Sequence, residues 1–398
     1  MIHLIIDGPE ATRFVHDLVT GPQRPGLTCS VVDAGSPQMI KPKPKLALVM
    51  IVRNEAQTLP RLLQSVVPYI DYWVITDTGS TDGTVKLLEE FKQQVPGEIR
   101  HDTWVNFGVN RTKAIQAARG KAEFLLLLDA DDTLVVKNQD FKQELQGDGY
   151  YVHHDGTVDF VLPRLVSGDR DWKYLGVTHE YLTSDQTMQW QDQRWLSITH
   201  HADGGCRSDK FTRDIALLEQ GLVEEPHNTR YMFYLAQSYK DAGRTQDAIR
   251  QYRVRAEAGG WEEEIYISLV TLGKLLVASK APSEQIIKIF SDAYAARPMR
   301  SEAPYELAKH WREAEKYAPA AAMARAAVSL PASDDLLFVD REIEQWRVKS
   351  ELAICEFWLN NYQQSYDLYA DLLQLDLPAD TRQYLQTSQA HSARVLGL

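Results

Sequence analysis

Cysteine is scarce in this chain of 398 residues: Cys29, Cys206 and Cys355 are all there is. They are odd in number and far apart, which excludes a disulfide framework and a zinc pattern and suits a reduced, cytoplasmic setting. No apolar run reaches the length of a membrane span. The first residues, Met1 to Asp7, lack the basic start and long apolar stretch of a secretory signal. Positive charge is also in deficit, with 43 Lys and Arg against 55 Asp and Glu and a net charge of −12. That balance argues against a broad footprint on nucleic acid or an anionic membrane, while leaving room for a local basic patch. What remains is the composition of a soluble globular protein, 44% hydrophobic and 25% charged, long enough for two domains.

Residues 1–45 read as strand (2–6), helix (11–19), strand (27–32) and a connector, Lys41-Pro-Lys-Pro-Lys45, whose alternating prolines exclude helix and central strand. This segment is too short for a core of its own and is expected to pack on the sheet that follows. Residues 46–205 alternate strand and helix, with helices at 56–67, 83–94 and 111–119. Such alternation predicts an α/β domain with a mostly parallel, Rossmann-like sheet. From 206 to 398 strand signals vanish and helical periodicity takes over. Leu235-Ala236, Leu272-Gly273, Leu307-Ala308 and Leu352-Ala353 recur at related offsets, the first followed by Gly243, Ala248 and Tyr252. Small residues beside large apolar ones let paired antiparallel helices nest, and the pattern resembles tetratricopeptide repeats.

Three apolar strands in the α/β part end in acidic, turn-forming residues. Residues 46–52 run into Arg53-Asn54-Glu55. Residues 73–76 run into Asp77-Thr-Gly-Ser-Thr-Asp-Gly-Thr84. Residues 124–128 run into Asp129-Ala130-Asp131-Asp132. Ligands of open α/β sheets bind beyond the carboxyl ends of the strands. Asp129 and Asp131, two apart in an extended segment, point the same way. Two such carboxylates repel unless a cation or proton sits between them. Mg²⁺ or Mn²⁺ would relieve the repulsion and bridge to phosphate oxygens; a charged turn at a strand end is the bland alternative. Gly79 and Gly83 allow a tight turn, Asp82 suits a helix cap, and Asp77 could accept a hydrogen bond from a base or ribose. Glu55 could equally be an acid at a helix start.

In order and spacing, these segments resemble the nucleotide-sugar half of a family 2 glycosyltransferase of the GT-A fold, over residues 46–134. The resemblance implies that Arg53, Asn54, Glu55 and Asp77 embrace the nucleobase and ribose. It gives Asp129 the ribose or a metal-bound water, and Asp131 the divalent metal. Arg111, in Asn106-Phe-Gly-Val-Asn110-Arg111, could reach the diphosphate or simply pair with an acid. The implied donor is a nucleotide-sugar, a UDP-sugar by family frequency, and the implied stereochemistry is inversion. Beyond 134, three segments resemble the subgroup with a tetratricopeptide-like C-terminus: Trp172 to Leu182, His200-His201-Ala-Asp203-Gly204, and Arg230 to Tyr239.

Sugar transfer with inversion needs a general base for the acceptor hydroxyl or thiol and neutralisation of the departing diphosphate. Glu180 is the candidate base, with Asp203 behind it. His201 or His179 is the candidate to complete the metal site; His179 could instead hydrogen-bond Glu180 or the backbone. Trp172 and Tyr174 could stack on a sugar, whereas Trp104, Trp190, Trp195, Trp261 and Trp311 read as core. The acceptor stays open between a glycan, a peptide and a modified nucleobase, the last met by a basic strip of Lys41 to Lys45 with Arg207, Lys210 and Arg213. A groove between helical hairpins could recruit the acceptor, hold a protein partner or make a homodimer. Two other classes stand against this reading. One is an inactive scaffold acting through its repeats, disfavoured by the intact carboxylates. The other is a nucleotidyltransferase, disfavoured because Val52 to Glu55 contains no glycine.

Overall fold

The structure, a computed structural model, describes residues 43–155, 160–204 and 210–398. The elements expected between residues 2 and 32 lie outside the described residues, as does Arg207. Strand β1 (Leu46–Val52) is apolar throughout, with Leu46, Leu48, Met50 and Val52 in one core and Ala47 and Val49 in the other. Burial on both faces is what a central parallel strand requires. Around it lie β2 (Tyr72–Asp77), β3 (Gly97–His101) and β4 (Phe124–Leu127), ordered β3-β2-β1-β4 with every pairing parallel.

The sheet then becomes mixed. It continues through β5 (Asp132–Val136), β6 (Gly149–Asp155), β7 (Phe160–Ser167) and a last strand, Trp190–His200. Between β7 and that last strand, β8 (Trp172–Leu175) and β9 (Tyr181–Ser184) form a separate antiparallel pair, so the last strand is β10. The order is β4-β7-β6-β10-β5; β6 and β10 are parallel and the other pairs antiparallel.

Helix α1 (Leu59–Val66) buries Leu59, Leu62, Leu63 and Val66, the spacing of one helical face. It starts later than residue 56 because the chain first turns, with the Thr58 and Leu59 amides on the Glu55 carbonyl. Helix α2 is Thr84–Phe91. Helix α3 (Phe107–Ala118) begins four residues before the expected 111, because the Asn106 side chain accepts from the Val109 amide at 2.8 Å and caps it. Gly108 lets this helix start press on the next layer: a Cβ there would lie 2.2 Å from the Gly176 carbonyl oxygen.

From residue 210 the chain is helical: α4 (Lys210–Glu224), α5 (Thr229–Asp241), α6 (Thr245–Glu257), α7 (Glu262–Ala278), α8 (Ser283–Ala296), α9 (Glu302–Glu313), α10 (Tyr317–Val328), α11 (Val348–Trp358), α12 (Tyr362–Leu372) and α13 (Ala379–Leu396). Consecutive helices pack on one another as stacked hairpins. The recurrent Leu-small pairs sit where the repeat reading placed them, on α5, α7, α9 and α11, and all are buried. Gly273 shows why the second residue is small: a Cβ there would meet the Phe290 ring at 2.4 Å. No described helix is long and apolar enough to cross a membrane.

Candidate active site

Because β1, β2 and β4 run parallel, their carboxyl ends open on one edge of the sheet. An open cleft of about 240 Å³ lies there. Arg53, Glu55, Thr78, Trp104, Phe107, Arg111, Asp129, Ala130, Asp131, Gly204, Lys210 and Arg213 line it. The acidic chain thus has a cleft in which Arg53, Arg111, Lys210 and Arg213 face Glu55, Asp129 and Asp131. The last two basic residues come from the first turn of α4, so both halves of the molecule build this wall. Arg213 also lies over the Phe107 ring at 5.0 Å.

Asp129 sits between two guanidinium groups. Arg111 pairs with one oxygen through its Nη2, and Arg164 Nη2 reaches the other at 2.9 Å. Burial works against the charge of Asp129, but the two arginines outweigh it and hold the carboxyl well below the usual carboxylate range. Burial also opposes the charge of Arg111; Asp129 and Glu180 more than offset that and hold it above its ordinary value. Arg164, on β7, was not among the expected residues. An arginine inside the apolar run Val161 to Val166 needs a buried partner, and that was its available signal.

Asp131 and Asp132 point differently. Asp131 lines the cleft and accepts from the Gly204 amide at 3.3 Å. Asp132 is fully buried, accepting from the Asp129 amide at 2.9 Å with one oxygen and meeting His200 Nδ1 at 2.8 Å with the other. Asp131, Asp132 and His200 form a group whose candidate ligand atoms lie within 4.8 Å of one another. The hydrogen bond to Asp132 raises the pKa of His200, against some burial, with Asp131 adding to the rise.

Residues 47–140 match the family model described as glycosyl transferase family 2. The chain carries a family 2 glycosyltransferase domain. A TPR repeat-containing protein of Synechococcus elongatus is 38% identical over 94 residues, 23% of this chain and 22% of that protein. The SPbeta prophage-derived glycosyltransferase SunS of Bacillus subtilis is 23% identical over 222 residues, 52% of each. The chain thus spans about half the length of SunS and under a quarter of the TPR protein. Among solved structures, MamA is similar at 15% identity over 42% of this chain and 89% of that chain, with a TM-score of 0.34. The thermophilic TPR protein TTC0263 of Thermus thermophilus is similar at 16% identity over 46% of this chain and 91% of that chain, with a TM-score of 0.32.

Within the glycosyltransferase domain, Arg53, Glu55, Arg111, Asp129 and Asp131 share the cleft lining. Asp77 and Asn54 stand just behind it. Asp77 accepts from the Gly79 and Ser80 amides at 3.1 Å, and Asn54 accepts from the Thr81 amide at 2.7 Å, so both shape the loop after β2. Asp82 accepts from the Thr84 amide at 2.9 Å, the expected service to the helix start. Glu180 stands beside the cleft, its Oε1 2.8 Å from Arg111 Nε.

Several placements differ from expectation. The imidazole beside the carboxylates belongs to His200. His201 turns to the Thr133 hydroxyl at 2.9 Å, and His179 stacks on Tyr234 with ring centroids 4.1 Å apart. The reason is register: His200 is paired with Asp132 across β10 and β5, and neighbouring residues of a strand face opposite sides. Asp203 is held by Arg61 through two hydrogen bonds, of 3.0 and 2.7 Å. The Arg61 guanidinium lowers its pKa. The aromatic wall is Trp104 against Phe107, with ring centroids 4.9 Å apart, whereas Trp172 is buried with its Nε1 donating to the Ser167 carbonyl. Trp261, expected in a core, is 45% exposed.

Proposed function

We propose that this chain is a metal-dependent, inverting glycosyltransferase that moves a sugar from a UDP-sugar to an acceptor hydroxyl or thiol. The observation that carries the reading is the cleft itself. Asp131 and Glu55 face Arg53, Arg111, Lys210 and Arg213 beyond the carboxyl ends of parallel strands. Cations and carboxylates in one cleft suit a metal-chelated diphosphate, whose negative charge grows as the sugar leaves.

The donor set fits a divalent ion. Asp131 and His200 would hold it, with Asp132 orienting the imidazole through Nδ1 as outer carboxylates do for histidine ligands. A bound ion would act as a Lewis acid on the diphosphate oxygens. An imidazole in the set favours Mn²⁺ over Mg²⁺, a hard ion that prefers oxygen. Lys210 and Arg213 supply fixed positive charge toward the diphosphate, and Trp104 with Phe107 offers an aromatic face. Asp129, immobilised by Arg111 and Arg164, presents a permanent carboxylate for ribose hydroxyls. Glu180 is the acceptor-side carboxylate, taking the acceptor proton while Arg111 fixes its orientation. The acceptor is a glycan, a peptide or a modified nucleobase, and the charge of the cleft does not distinguish among them.

The test is a thermal-shift screen of nucleotides and nucleotide-sugars, each with and without Mn²⁺. A ligand that binds only the folded protein raises its apparent stability. A metal-dependent shift with UDP and one UDP-sugar is expected. No shift with any nucleotide would overturn the reading and favour a scaffold acting through the helices.

A further inference from the structure

The turn that carries Glu180 is held from the far side by the helical half. Between β8 and β9 the backbone takes left-handed conformations at Gly176 (φ 118°) and His179 (φ 50°), the second unusual for a residue with a side chain. Arg230, on α5, donates to the His179 carbonyl at 2.9 Å. The His179 ring lies flat on Tyr234, also on α5, at 4.1 Å and 7°. The Arg230 guanidinium covers Tyr234 at 4.8 Å and Tyr181 at 5.3 Å. Thr178 meets the buried Asp214 of α4 at 3.4 Å, and Val177 packs against the apolar core of the helices. The residue between His179 and Tyr181 is Glu180, whose carboxylate reaches Arg111 and through it Asp129. A continuous chain of contacts therefore runs from α5 to the cleft.

We propose that the helical half positions the Glu180 carboxylate, with Arg230 and Tyr234 as the positioning residues acting through the His179 turn. This deepens the reading of Glu180 as the acceptor-side carboxylate and rests on it for its catalytic consequence. In this account the first helical hairpin is part of the catalytic unit. Its hold on the turn runs through the Tyr234 ring on the His179 ring and the Arg230 guanidinium on the His179 carbonyl.

The experiment is amide hydrogen exchange on the full chain, followed over residues 176–181, for the wild type, Tyr234→Ala, Tyr234→Phe and Glu180→Gln. Tyr234→Ala is expected to speed exchange in that turn about tenfold or more while β1 to β4 stay protected; Tyr234→Phe is expected to match the wild type. With the donor found in the nucleotide-sugar screen, Tyr234→Ala is expected to lower kcat about tenfold with the donor KM unchanged, and Tyr234→Phe to restore it. Wild-type exchange in Tyr234→Ala would overturn the proposal. If Tyr234→Ala loosens the sheet as well, Arg230→Ala decides by the same readout: its turn must exchange faster, or the proposal falls. Full turnover in Glu180→Gln, with faster exchange in Tyr234→Ala, would sink the role of Glu180 alone and leave the hold of the helices on the turn standing.

Discussion

Asp129 and Asp335 each sit between a pair of arginines, and they differ in what lies beyond them. Asp129 is bracketed by Arg111 and Arg164 at the end of the sheet. Asp335 is bracketed by Arg297 and Arg300 in the helical half. Around Asp335 the cluster is closed: Arg300 is fully buried, pairs also with Glu302 at 2.6 Å, and donates to the Leu337 and Phe338 carbonyls. Around Asp129 it opens on the cleft that Asp131, Lys210 and Arg213 also line. The same ion-pair chemistry thus locks a loop onto helices in one place and borders an open cleft in the other. Buried pairs of this kind are weak evidence of net stability, yet removing one partner is costly.

Arg300→Ala sharpens that contrast most. It strands Glu302 and Asp335 without their cation, and a loss of about 3–5 kcal/mol is expected in urea unfolding. A loss under about 1 kcal/mol would mean that water reaches the cluster and that it is not closed. Next in size, Asp131→Ala is expected to lower turnover on the order of 100-fold while leaving the unfolding midpoint close to wild type. Full turnover in that variant would remove Asp131 from the metal site. Asp129→Asn and Asp335→Asn form a matched pair. The first is expected to cut kcat/KM about tenfold or more, and the second to keep activity within about twofold while costing roughly 1–3 kcal/mol of stability. If the two exchange phenotypes, the division between open and closed clusters is wrong.

The smallest expected effect is a pH dependence at His179. Its packing against the helical half, aided by Lys210 and Arg230, lowers its pKa to about 4. A histidine whose folded pKa lies below the unfolded value binds its proton more readily when unfolded, so its contribution is intact above about pH 6.5 and is lost as the pH falls from there. His179 is exposed, and solvent screening limits the loss to about 0.5–1 kcal/mol at most. Comparing Tm between pH 8 and pH 4 for the wild type and His179→Phe checks it: the gap between them should shift in favour of Phe as the pH drops, and a constant gap would contradict it.

Much of this was legible in the sequence because it rests on local pattern. Apolar strands ending in acidic turns sit side by side once the strands are parallel, which is why Glu55, Asp129 and Asp131 share a cleft. The Leu-small pairs marked the inner helices for the same reason, since one helical face either nests or clashes. What was not legible depends on pairing between distant segments. The choice between His200 and His201 is set by the register of β10 on β5, and a slip of one residue would exchange them. Arg61 captures Asp203 across 142 positions of sequence. Trp104 and Trp172 exchange their expected roles: Trp104 lines the cleft, while the β8–β9 pair packs on α3 and Trp172 is buried there.

The proposed cleft ligand is a nucleoside diphosphate, bound through a metal held by Asp131. The most direct measurement is calorimetric titration of UDP into the wild type and Asp131→Ala, each with and without Mn²⁺. Tight binding is expected in the wild type with Mn²⁺, and at least about tenfold weaker binding in the other three conditions. Equal affinity with and without the metal, or in the variant, would contradict it.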